Sequence, residues 1–180
     1  MVISKPPLPA NALLGVYSRN GGYTDCYATD MPGVISHEQY VTAFYTTWVF
    51  KLERFILKYV VARPSTDQQA QQLAADKLDA FAAWSVEARA PNQLLMCDLY
   101  GSTRSWLMVE PINDGKATRL YFGSAVVPKE KTKKNWIPAY AGMTTKTQMP
   151  FMFHALLGFH QLYSRILLSA AARKLSNPSP

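Results

Sequence analysis

The chain has 180 residues, 48% of them hydrophobic and 17% charged, with nine Gly, twelve Pro, two Cys and a formal net charge of +7. That length suits one domain of ordinary size. The apolar fraction excludes a disordered chain, and two cysteines exclude a disulfide scaffold.

The N-terminus, MVISKPPLPANALLG, has one Lys, three Pro and no long apolar run. It does not read as a secretory signal. Residues 1–12 read as a flexible segment, 13–175 as one domain, and 176–180 as a flexible tail. The expected compartment is the cytoplasm, which keeps Cys26 and Cys97 reduced. They read either as a nucleophile or redox pair or as buried thiols packed like small hydrophobes.

Residues 21–31, GGYTDCYATDM, follow a Gly pair and are rich in β-branched and aromatic side chains. They predict a strand, ended by Pro32-Gly33. Ser36 with Gln39 forms a capping box that opens a helix. Val41, Tyr45, Trp48, Leu52, Phe55 and Tyr59 then recur at spacings of three and four, one apolar stripe running to the stop at Arg63-Pro64. Ser65 with Gln68 repeats the capping pattern and predicts a shorter helix to about Lys77.

From Phe81 the period changes to two, and strands are predicted over 81–89, 94–100, 103–110 and 118–127. Asn113-Asp114-Gly115 marks the hairpin between the last two. Short turns between consecutive strands mean an antiparallel sheet. A long, nearly all-apolar helix is predicted from Pro150 to about Leu175. The expected class is α+β, an antiparallel sheet of about five strands or more covering a long C-terminal helix.

The charge is uneven. Residues 1–128 carry eleven basic and eleven acidic side chains, so the whole excess lies in the last 52 residues. No basic stripe interleaved with aromatics runs through the neutral part, which argues against nucleic acid as a partner. Residues 129–148, KEKTKKNWIPAYAGMTTKTQ, hold five Lys and no periodicity, and read as a basic insertion loop. It is either a lid or membrane-contact loop or a neutral graft.

Candidate polar groups lie on two elements. Arg104 and Trp106 share one strand face, and Tyr121 lies on the next strand. Arg104 either orients an anionic or carbonyl group of a ligand, or faces solvent or Asp98. His160, Tyr163 and Arg165 fall within two turns of the last helix. His160 and Tyr163 are either a proton donor and hydrogen-bond anchor or ordinary core residues. The three His lack metal spacing, and no Gly-x-Ser-x-Gly elbow, phosphate-cradling Gly loop or dinucleotide fingerprint occurs. No metal or cofactor is expected, and no residue pattern names a reaction.

Two resemblances add to this. NWIPAYAGMT (135–144) resembles the peptide produced when a dispersed bacterial inverted repeat is translated in frame. AFYTTWVFKLER (43–54), ARPSTD (62–67), GSTRSWLMV (101–109), YFGSAVVP (121–128) and LLGFHQLYSR (156–165) resemble a group of uncharacterised bacterial proteins. With the element order, they resemble the START / polyketide-cyclase-like (SRPBCC, helix-grip) superfamily over roughly 13–128 and 149–175. That resemblance implies a cavity between sheet and terminal helix holding an apolar small molecule or lipid. Arg104, Trp106, Tyr121, His160, Tyr163 and Arg165 are the candidate ligand-binding residues, and no catalytic set is carried over. The alternatives are a cavity enzyme of the cyclase or hydratase type, and a peripheral protein touching the membrane surface through helix 150–175 and the basic loop. An exposed apolar face used in a homodimer is also open.

Overall fold

The computed structural model describes residues 2–60, 64–127 and 149–177, without the side chains of 53, 56–60 and 149–161. The expected insertion loop, including the repeat-like 135–144, lies outside the described residues. In chain order the elements are α1 (Gly15–Arg19), β1 (Tyr23–Pro32), α2 (His37–Tyr45), α3 (Trp48–Val60), α4 (Asp67–Ala74), β2 (Ala80–Phe81), β3 (Trp84–Ala90), β4 (Gln93–Asp98), β5 (Thr103–Ile112), β6 (Ala117–Val126) and α5 (Met149–Ser176). The protein is α+β, as expected.

The six strands form one antiparallel sheet in the order β1-β6-β5-β4-β3-β2. β1 returns to pair along the whole of β6, from Tyr23 opposite Val126 to Pro32 opposite Ala117. The β5–β6 turn takes Asn113, Asp114 and Gly115 through positive φ, the region that Asn, Asp and Gly tolerate best. The expected strand 81–89 is broken. Ala82 takes a positive φ of 53°, and Ala82-Ala83 turn the chain so that Phe81 pairs back with Trp84.

α2, α4 and the C-terminal part of α5 cover one face of the sheet, in a layout consistent with a helix grip. The interior on that side is filled with aromatic rings. Phe44 lies 5.0 Å from Phe122 between ring centroids, and Tyr40 donates a hydrogen bond to the Tyr121 carbonyl at 3.0 Å. The opposite face is covered by the N-terminal residues. Ala12 and Leu14 are buried on Trp106 and Met108, with Leu8 and Leu13 packed beside them. Of the segment expected to be flexible, Ser4 pairs with Ala28 along the free edge of β1 and Ile3 packs on the helix side, while Leu8 and Ala12 lie on this face. Gln93 holds them, accepting from the Leu13 N–H at 2.9 Å and donating to the Asn11 carbonyl at 3.1 Å.

The expected helix from Ser36 is two helices, and Thr46-Thr47 divide them. Both hydroxyls turn back on α2. Thr46 Oγ1 donates to the Thr42 carbonyl at 2.6 Å and Thr47 Oγ1 to the Phe44 carbonyl at 2.9 Å. Thr47 Oγ1 also accepts from the Phe50 N–H at 3.2 Å, which caps the start of α3. The second capping box exists one residue later than expected, as Thr66 with Gln69. No helix among the described residues is long and apolar enough to cross a membrane.

Candidate binding groove

The described side chains among the six residues singled out in the sequence do not form one site: Trp106 and Tyr121 touch, with ring centroids 6.0 Å apart, but Tyr163 and Arg165 lie elsewhere. Trp106 and Tyr121 lie on the sheet face away from α2 and α5, because the alternation of β5 and β6 sends Leu107, Val109, Leu120 and Phe122 toward the helices instead. Trp106 is fully buried and donates its indole N–H to Gln93 Oε1 at 2.9 Å. Gly123 makes room for it: a Cβ there would stand 2.9 Å from the indole and 2.8 Å from the Asp25 carbonyl. Tyr121 donates to Glu110 at 2.7 Å, and burial pushes its phenol up to about 12.

Arg104 pairs with Glu87 at 2.6 Å rather than with Asp98, and also donates to the Tyr17 hydroxyl at 2.8 Å. Its guanidinium lies 4.8 Å over the Tyr17 ring. A register shift between Val86 and Ala88 brings Glu87 to this face, as bulges commonly re-aim a side chain. Tyr17 also donates to Glu87. These contacts fasten α1 to the sheet. Asp98 instead accepts from the Ser102 and Thr103 backbone N–H groups.

The other three candidates belong to α5. The His160 side chain lies outside the described residues. Tyr163 is half-buried against the helix-side core. Arg165 is exposed and lines a groove of about 860 Å³ between the start of α3 and α5. A neighbouring cleft of about 440 Å³, bounded by Ile3, shares Arg165 and Arg173 with it.

One face of α5 forms the groove wall: Leu162, Arg165, Ile166, Ser169, Arg173 and Lys174 recur three and four apart. Trp48 and Lys51 of α3 stand opposite, and Thr46 and Thr47 form the end. The described lining includes four cations and no carboxylate or imidazole. Two cations are engaged. Lys51 pairs with Asp67 at 2.6 Å, and Lys174 donates to Thr46 Oγ1 at 2.7 Å and the Thr46 carbonyl at 2.9 Å. Burial, then the nearby Lys51, holds the Lys174 amine below the usual lysine range. Arg165 and Arg173 are exposed and have no carboxylate partner among the described residues.

The sequence missed this groove because the expected stripe ran unbroken through Thr46-Thr47. The break re-aims the helix. Val49 and Phe50 enter the core, while Trp48, Leu52 and Phe55 face outward. The signal was the Thr pair itself, two β-branched hydroxyls that compete for helix carbonyls.

The thiols do not form a pair of reactive groups. Cys26 is buried and pushed up to about 12, chiefly by burial and then by Asp25. Cys97, on β4, is half-buried, and burial raises it too. Among the described residues no group of three His, Cys, Asp or Glu is placed to hold a metal ion. Comparison of the chain with protein-family models, with curated proteins and with solved structures returns no match.

Proposed function

We propose that the protein binds a small amphiphile, an apolar body with an anionic head, in the groove between α3 and α5. One observation carries the reading. Arg165 and Arg173 stand exposed and without a carboxylate partner among the described residues, on the same helix face as Leu162 and Ile166 and across from Trp48. Ligand sites combine apolar walls with a few placed polar groups, and a guanidinium fork suits a carboxylate or phosphate. The apolar body is what the superfamily resemblance implies, and the anionic head is read from the groove's cations. The location differs, since aromatic rings fill the sheet side of the helices. The lining's Thr, Ser and cations receive no acid–base role, so binding is favoured over the cyclase or hydratase alternative.

Calorimetric titration with dodecanoate, and with the uncharged dodecanol, tests this. Dodecanoate is expected to bind, dodecanol to bind more weakly, and Arg165→Gln with Arg173→Gln to weaken dodecanoate by about tenfold or more. Absence of dodecanoate binding, or equal affinity for both probes, would overturn the reading.

A further inference from the structure

We infer that the outer face shared by α3 and α5 docks on an anionic lipid bilayer. Trp48, Leu52 and Phe55 project from one side of α3 at spacings of four and three, with exposures of 71%, 54% and 59%. Leu162 and Ile166, one turn apart on α5, add exposures of 57% and 40%. The other large exposed hydrophobics among the described residues are Val2, Val16, Val34, Leu99, Tyr100 and Val126, spread over other elements and turns, and they form no such stripe. Scattered single apolar residues need no explanation, but a contiguous group rimmed by polar ones marks an interaction surface.

The rim chooses the occupant. Lys51, Arg165, Arg173 and Lys174 border the apolar residues, and among the described side chains the acid paired at this rim is Asp67, held by Lys51 and Arg54. A second copy of this chain would place the same cations against each other across a two-fold axis, which repels. An anionic headgroup layer complements them. Apolar side chains with a Trp among cations are what helices lying in a membrane interface present. The proposal does not need an occupant in the groove, since Leu52 and Phe55 stand outside its lining.

Co-sedimentation of the full chain with phosphatidylglycerol vesicles, and separately with phosphatidylcholine vesicles, tests the inference. Partition onto phosphatidylglycerol should exceed that onto phosphatidylcholine by about tenfold, and fall as salt is raised from about 0.05 M to about 0.5 M. Leu52→Ser with Phe55→Ser should lower it about tenfold or more and leave dodecanoate affinity unchanged. Both side chains are exposed, so an unaltered melting transition confirms that the variant is folded. Equal partition onto both lipids, none onto either, or a Leu52→Ser/Phe55→Ser variant that partitions fully would overturn it. A dimer in gel filtration that the same variant dissociates, without vesicle binding, would assign the face to a second copy. Vesicle binding without dodecanoate binding would leave this face standing and remove the groove reading, and the reverse result would do the opposite.

Discussion

His37 stands at the first turn of α2, and its Nε2 is buried without a hydrogen-bond partner among the described residues. Burial pushes the imidazole down to about 4. In the unfolded chain a His takes its proton near pH 6.5, so the unfolded state gains protons first as pH falls. Stability contributed by the neutral ring is therefore full above about pH 6.5 and is lost between there and about 4, by up to about 3 kcal/mol. His37→Gln should flatten the fall in melting temperature over that interval, and a parallel fall in both proteins would contradict the assignment. Gly123 makes the other prediction at this scale. The Asp25 carbonyl cannot retreat without moving β1, so Gly123→Ala should cost about 1–3 kcal/mol in denaturant unfolding. A midpoint unchanged from the wild type would mean that Trp106 and β1 are less constrained than their contacts imply.

At the scale of elements, the Thr46-Thr47 break decides what α3 shows to solvent. Thr47→Ala removes the cap on the Phe50 N–H and should cost about 1 kcal/mol, read from thermal unfolding. A neutral result would mean the break is set by packing rather than by the hydroxyl. The strands, the Asn113-Asp114-Gly115 turn and the terminal helix were legible in the sequence because alternation, turn chemistry and apolar length each act locally. The break was not, because the apolar spacing of three and four continues across Thr46-Thr47 and periodicity alone cannot register a change of axis. Nor was the turn at Ala82-Ala83, which puts Ala where the usual turn residues are absent. The face of Trp106 was misread for a related reason. Both faces of β5 are apolar, and only the N-terminal residues packed on one of them tell which side meets the helices.

At the scale of the whole molecule, the described residues leave both apolar faces of the sheet covered. The N-terminal residues and α1 close one side and the helices close the other. The proposed ligand groove lies outside the sheet, between helices, where the described part of the basic C-terminal region contributes Arg165, Arg173 and Lys174. The candidate site was legible only in Arg165. Trp106 and Tyr121 pack under the N-terminal residues and Arg104 holds Tyr17 and Glu87, and the remaining groove residues needed the tertiary arrangement to come together. Backbone amide chemical shifts during titration with dodecanoate test the central claim most directly. The account predicts saturable shifts concentrated on residues 46–51 and 162–177, with the strands around Arg104, Trp106 and Tyr121 unmoved. Shifts centred on those strands, or no saturable shifts at all, would contradict it.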